Sequence, residues 1–308
     1  MNGLRGLAAL FERLPRVASI AALSIVLVAV LAPKLAPVDP IKVDLSSPLA
    51  RPTWTHLLGT DDLGRDEFSR ILVAARTTVT TVSLVLLGAI VFGGAVGAVA
   101  GTIGGIVDEI LMRLVDVALS LPSLIVALAV LGTIGPGYSH MILALCLAWW
   151  PGYARLVRSS VVAVRQQPYV EAAIVLGAHP LLLVFRYLLP PAAGTTLVYA
   201  SGDAGMLAVS IATLSFLGLG VKPPQPEWGQ MLVSGLPYMK TDPMLVLLPG
   251  LALSIFVATW NTFSRSIAVD TLPRRLSNRQ LRRRLNLLPP LAIGVRGADA
   301  SGVPEHAP

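Results

Sequence analysis

The chain has 308 residues, with 24 Lys and Arg against 17 Asp and Glu, a net charge of +7 and a mean hydropathy of +0.72. Only 13% of the residues are charged and 54% are hydrophobic, whereas a soluble domain carries about 25% charge. This composition excludes a water-soluble enzyme, a disordered chain and a nucleic-acid-binding domain as first readings, and leaves a membrane protein.

A helix crosses the hydrocarbon core with about 20 apolar residues, so spans are sought between charges. Residues 1–16 form a charged N-terminal segment. The charge-free run 17–32 stops at Pro33 and predicts a first helix over 17–36. A signal peptide is the other reading, because small residues follow the apolar stretch. Residues 37–76 make a charged loop, and 77–107 carry no charge until the next segment, which predicts a second span. The following apolar stretch is interrupted by Gly132-Thr-Ile-Gly-Pro-Gly-Tyr-Ser139, a turn signal, and so reads as a helical hairpin over 110–132 and 139–157. Between Arg186 and Lys222 the one charge is Asp203, giving a fifth span near 194–217, and the sixth covers 244–264. The basic tail 268–308 closes the chain; Arg274, Arg275, Arg279, Arg282, Arg283 and Arg284 in it suit anionic lipid better than RNA. No ten-residue alternating strands occur, so a β-barrel is disfavoured. The fold class is therefore an all-α polytopic membrane protein with six transmembrane helices.

Six spans place both termini on one side. With the N-terminus inside, Arg5, Arg13, Arg16, Arg113, Arg155, Arg158, Arg165, Arg186 and the tail arginines lie in the cytoplasm. They outnumber the outer Lys34, Lys42, Arg51, Arg65, Arg70, Arg76, Lys222 and Lys240, as the positive-inside rule requires. Both termini are expected to be cytoplasmic.

Small residues recur at every fourth position in the second span (Ala89, Gly93, Gly97, Gly101, Gly105). In lipid such a stripe lets helix backbones approach closely, so it predicts a tight helix pair. Arg113 and Asp116, three apart, predict a local ion pair. Asp203, flanked by Gly202 and Gly205, is a charge in mid-membrane; it either lines a path or meets a partner, or caps a locally broken helix.

Chemistry is sparse. Cys146 is the sole cysteine, and His56, His140, His179 and His306 are scattered, so no metal-ligand spacing exists and no metal site is expected. No phosphate-binding G-x-x-x-x-G-K-[ST] run, nucleophile elbow or H-E-x-x-H is present. The remaining enzyme reading is an intramembrane aspartyl protease built on Asp116 and Asp203; the expected membrane-edge position of Asp116 argues against it. The chain reads as a conduit without its own engine.

A cytoplasmic segment over 165–190 supplies the link to one. It contains Glu171-Ala-Ala-Ile-Val-Leu-Gly177 and Tyr187-Leu-Leu-Pro190, read as two short helices around a glycine turn. Val170, Ala173, Ile174, Leu182 and Phe185 make an apolar face suited to a partner's groove. This segment resembles the EAA loop of ABC importer permeases. Three other segments are similar to the C-type subunit of the peptide/nickel permease family. They are Leu58-Gly-Thr-Asp-Asp-Leu-Gly-Arg-Asp66 with Ser69-Arg70; Leu111-Met-Arg-Leu-Val-Asp116 with Leu121-Pro122; and Ser215-Phe-Leu-Gly-Leu-Gly220 with Pro223-Pro-Gln-Pro-Glu-Trp-Gly-Gln-Met231. The resemblance covers roughly residues 10–275. The chain departs from the family pattern at Tyr187, Pro191, Ile211, Ser264-Arg265 and Ala268-Val269; Asp203 is the candidate substitute for an acid usual at position 211.

The resemblance implies a type I ABC importer permease fold with a five-helix core over 77–267, in the inner (plasma) membrane. It implies a homologous second permease subunit, two cytoplasmic ATPases that carry ATP and Mg, an extracytoplasmic solute-binding protein, and no cofactor in this chain. Glu171, Ala172, Ala173, Gly177, Leu189 and Pro190 would couple to the ATPase. Asp203 and Asn261 are the candidates for the translocation path. Pro223, Pro224, Glu227 and Trp228 are candidates for the rim that meets the binding protein. The implied cargo is a dipeptide or oligopeptide, with nickel or another small solute as the alternative.

Overall fold

In hydrocarbon every backbone N–H and C=O must find an internal partner, so a chain this apolar folds into helices or a closed barrel. The computed structural model describes residues 2–271, and among these no strand forms beyond one isolated bridge between Thr60 and Asp66. The helices are α1 (Asn2–Leu35), α2 (Glu67–Ile103), α3 (Gly105–Leu119), α4 (Ser123–Ile134), α5 (Tyr138–Arg165), α6 (Pro168–Val175), α7 (Pro180–Leu182), α8 (Leu189–Phe216), α9 (Trp228–Gly235) and α10 (Met244–Thr271). A π-helical segment, Leu183–Leu188, joins α7 to α8. Pro190 and Pro191 lack the N–H groups that would close the preceding α-turns, so the chain widens there instead. The expectations for the arginine-rich tail fall outside the described residues.

Four helices are long and apolar enough to cross a membrane: Val17–Leu35 within α1, Glu67–Ile103, Leu183–Phe216 and Met244–Ile267. The expected straight arm over 110–132 is two helices, α3 and α4, bent by 86°. Pro122 is the reason: it disfavours helical backbone at the residue before it, and the chain turns through Ser120–Pro122. The pair can form one broken span, making five. α5 has 28 residues, about 42 Å, and carries Arg155, Arg158 and Arg165 in its second half, so the count of six is approximate. The predicted glycine turn lies where expected, with α4 ending at Ile134 and Gly135 at φ +85°.

α2 begins ten residues earlier than the charge pattern suggested. Asp66 caps it by accepting from the Ser69 amide at 2.8 Å, and this cap satisfies one of the helix's orphan donors. The helix is 37 residues long, about 55 Å, so it projects well past a bilayer core. α2 and α5 make the central pair. A Cβ on Gly93 would fall on the Trp150 carbonyl, one on Gly97 on the Ala154 carbonyl, and one on Gly101 within 2.9 Å of Val161. The small-residue stripe is therefore a backbone contact, except at Gly105, which lies past the end of α2 with open space beside it. Val85, Leu131, Leu145, Leu207, Ile211 and Phe256 fill the interior around this pair.

Outside the membrane-length helices the loop 37–66 folds onto the start of α2 through buried polar bonds. Asp61 accepts from the Leu63 amide at 3.0 Å, the Arg65 amide at 2.9 Å and Arg65 Nε at 2.6 Å, with Arg70 Nε at 3.4 Å. Arg70, 1% exposed, also donates to the Pro40 carbonyl. His56 Nδ1 lies 3.0 Å from Asp66 Oδ1. Gly64 stands at φ +71°, against the Asp44 carbonyl, where a side chain would collide. The segment singled out in the sequence as a signature is thus a knot that holds the loop to α2.

Candidate functional site

Three regions hold the residues singled out from sequence. At one end of α5 the chain turns at Gln166 and Gln167 and enters α6, whose Pro168 sits in the first turn where no N–H is needed. Val170 and Ala173 point inward, against α5 and the π segment, and join a buried cluster with Val157 and Val161 of α5, Leu183 and Leu188 of the π segment, Ala98 of α2 and Ala192 of α8. Glu171 and Ala172 face outward. α6 ends where the Gly177 amide donates to the Ile174 carbonyl at 2.9 Å and the Ala178 amide to the Ala173 carbonyl at 3.0 Å. Gly177 has φ +80°, the left-handed closure that favours glycine at a helix end. Of the coupling candidates, Ala173 is a support residue, Leu189 is half-buried, and Glu171, Ala172, Gly177 and Pro190 are exposed.

The apolar face expected on this segment is divided. Val170 and Ala173 are buried, whereas Ile174, Leu182 and Phe185 lie on the outside with Val175 and Leu176, which are 85% and 86% exposed. The sequence spacing located the helix but did not separate the face that packs from the face left open. What sequence reasoning missed was the tip, Val175 and Leu176, whose signal is two large apolar residues directly before a left-handed glycine.

The second region lies between α5 and α8. Asp203 sits in an unbroken α8, so the helix-cap reading is excluded. Its Oδ2 accepts from the buried Tyr153 hydroxyl at 3.0 Å. Tyr199, one turn earlier on α8, stacks edge-on against Tyr153 with ring centroids 5.5 Å apart. Asn261 is exposed on α10 and approaches α8 at Gly205. Two residues along a helix is about 200° of rotation, so α8 separates Asp203 from Asn261. The two path candidates do not meet.

The third region is the loop before α9. Pro223 and Pro224 are exposed, but Glu227 and Trp228 are not. Glu227 caps α9 by accepting from the Gln230 amide at 3.0 Å, and Trp228 Nε1 donates to the Ile71 carbonyl of α2 at 3.3 Å. Burial raises the Glu227 carboxyl above its ordinary range, against hydrogen bonds from the Gly229 and Gln230 amides and from Ser215 that lower it. Both side chains are consumed in bracing α9 to α2 and α8, whereas Pro223 and Pro224 stand on the surface.

A further correction concerns charges near α3. Arg113 and Asp116 are not paired. Asp116 instead meets Arg155 of α5, and Asp108 takes a two-pronged bond from Arg158, at 3.0 and 2.6 Å. These ion pairs clip α3 to α5. Asp116 is therefore held at an exposed helix clip and Asp203 beneath Tyr153, on different elements with different partners, and the two do not form an acid dyad. Among the described residues no group of three or more His, Cys, Asp or Glu side chains could hold a metal ion.

Residues 93–277 match the family described as the inner membrane component of binding-protein-dependent transport systems. The nickel transport system permease protein NikC of Escherichia coli (strain K12) is 40% identical over 225 residues, 73% of this chain and 81% of that protein. The dipeptide transport system permease protein DppC of Haemophilus influenzae is 34% identical over 245 residues, covering 78% and 83% of the two chains. The probable D,D-dipeptide transport system permease protein DdpC of Escherichia coli (strain K12) is 35% identical over 254 residues, 82% of this chain and 85% of that one. With a family model over more than half of the chain and relatives above 30% identity, the chain belongs to the peptide/nickel family of ABC importer inner-membrane permeases, and is a transport subunit rather than an enzyme.

Proposed function

We propose that the chain is one half of a translocation path for small peptides, opened and closed by ATPases that grip α6. The observation that carries this reading is the construction of α6. Its inner face packs against α5 and the π segment that leads into α8, with Val170 and Ala173 in the buried cluster there, while Glu171, Ala172, Val175 and Leu176 are exposed on the outside. A short helix fixed to the spans on one side and open on the other is a lever: force applied to it reaches α5 directly and α8 through the π segment. Near-complete switching between two states needs about 5.5 kcal/mol of differential binding. This chain has no phosphate-binding loop to supply that, so nucleotide binding on the partner supplies it.

In this reading α6 and both termini are cytoplasmic, and the exposed Pro223 and Pro224 face an external binding protein. The homologous subunit covers membrane-level apolar surface such as the groove between α2 and α8, lined by Ile90, Gly94, Ala98, Val184, Phe185 and Leu189. Import of nickel is the second reading, favoured by the 40% identity to a nickel permease against 33–35% for the dipeptide permeases.

Glu171→Lys and Gly177→Val test the lever. In vesicles holding the whole importer, both variants should insert normally yet lose ATP-driven uptake and the ATP hydrolysis that solute-loaded binding protein stimulates. Unchanged coupled uptake in both variants would defeat it.

A further inference from the structure

Asp203 carries a charge that nothing in the described structure neutralises. No lysine, arginine or histidine lies within ion-pair distance of it among the described residues. One hydrogen bond, from the Tyr153 hydroxyl to Oδ2, holds the carboxylate, which leaves Oδ1 without a partner. A carboxylate offers about four acceptor positions, so most of its capacity is unspent.

The surroundings give that capacity a direction. Tyr153 is fully buried, so the carboxylate is held from the protein side. Tyr199 flanks it from the open side, 44% exposed, its ring edge-on to Tyr153 at 5.5 Å and 87°. Gly152 has no side chain to crowd the Tyr199 hydroxyl; a Cβ there would lie 3.6 Å from it. Along the same edge of α8 the next residue is Met206, 65% exposed. An ionised side chain this deep does not face lipid; it faces a cavity or a partner. The exposure of Tyr199 and Met206 along this edge leaves room beside Asp203 for water or solute.

A fixed anionic oxygen beside an exposed aromatic ring is the arrangement that binds organic ammonium, combining charge attraction with cation–π contact. It suits a divalent metal poorly, since among the described residues Asp203 belongs to no group of three or more His, Cys, Asp or Glu side chains that could form a coordination shell. We propose that Asp203, held by Tyr153 and flanked by Tyr199, is a recognition point for the protonated amine of the solute as it passes. The proposal rests on the reading of this chain as a translocation subunit and adds a charge class to its cargo.

The test needs no knowledge of the cargo. In a Cys146→Ala background, Met206→Cys places a thiol one turn from Asp203. The assembled importer in membrane vesicles is treated with methanethiosulfonate reagents of matched size, one bearing trimethylammonium and one sulfonate, and modification of this chain is read by mass. The cationic reagent should react about tenfold faster than the anionic one, the lower range for a focusing charge in a cleft. Asp203→Asn should abolish that preference and Tyr199→Leu should reduce it, with co-purification of the partner subunits reporting that the complex is assembled. Equal rates with Asp203 intact would overturn the ammonium site while leaving the path in place. Failure of both reagents, when the denatured chain reacts, would show that this edge is closed to water and overturn the path reading as well. Equal rates with Asp203 intact, together with loss of assembly in Asp203→Asn, would assign the counter-charge to the neighbouring subunit and also overturn the proposal.

Discussion

The loop knot at the start of α2 and the short helix α6 both lie at the ends of long helices, yet they are built in opposite ways. In the knot, Asp61, Arg65, Asp66 and Arg70 are buried and bonded to one another, and α9 is pinned alongside through Trp228. In α6, two inward residues do the holding, and large apolar side chains stand in the open at Val175 and Leu176. One region pairs these charges within itself. The other leaves apolar side chains uncovered. Internal pairing fits a role for the knot as architecture, and the uncovered apolar tip fits the contact proposed for α6.

The sharpest way to break that contrast is Asp61→Ala. It strands Arg65 and Arg70 with much of their charge compensation gone, and removing one partner of a buried ion pair costs about 3–5 kcal/mol. The variant should fail to accumulate or melt far below the parent in detergent, whatever partners are present. Gly97→Leu comes next. It forces α2 and α5 apart at the Ala154 carbonyl, an overpacking change of about 1–3 kcal/mol or more, read as a lower Tm with impaired coupling, because the lever acts through α5.

Glu227 gives a gentler probe of the braced side. Burial raises its carboxyl, so the folded protein holds the proton more tightly than the unfolded chain does. Stability linked to this group is fully present below the ordinary carboxylate range and is lost as pH rises through the raised value. Glu227→Gln keeps an oxygen to cap α9 but cannot ionise, so its Tm should depend less on pH from weakly acid to weakly alkaline solution. A Tm–pH profile identical to the parent would show that Glu227 is not the titrating group. Smallest in stability is Leu176→Asp, at an exposed tip, within about 0.5 kcal/mol of the parent. It should nonetheless reduce ATP-coupled uptake more than any of the others does per unit of stability lost.

Much of this was legible before the structure. Charge-free runs located the long helices, and the glycine stripe announced the α2–α5 contact because its period is that of a helix face. Other features depend on partners distant in sequence. The spacing of Arg113 and Asp116 suggested a pair, but Asp116 reaches Arg155, 39 residues away, and no periodicity reports that. Pro122 was visible, yet apolar composition on both sides of it read as one rod, since hydropathy is blind to the backbone restriction proline imposes. The start of α2 was set too late because Arg70 and Arg76 were treated as limits of a span, although a helix can run out of the membrane with Arg70 buried against a folded loop and Arg76 exposed. Asp203 declared itself as a lone charge, but Tyr153, 50 residues earlier, could not be assigned to it. Glu227 and Trp228 lie in a proline-rich stretch that reads as surface; their burial follows from the cap and from the carbonyl of Ile71, neither visible in composition.

The most direct test of α6 as the contact with the power source is a photoreactive residue placed at Leu176 in the assembled importer, irradiated in intact membranes. The account predicts a covalent adduct with the nucleotide-hydrolysing subunit, its yield changing when ATP is added. An adduct with the external binding protein, or with lipid alone in every nucleotide state, would contradict it.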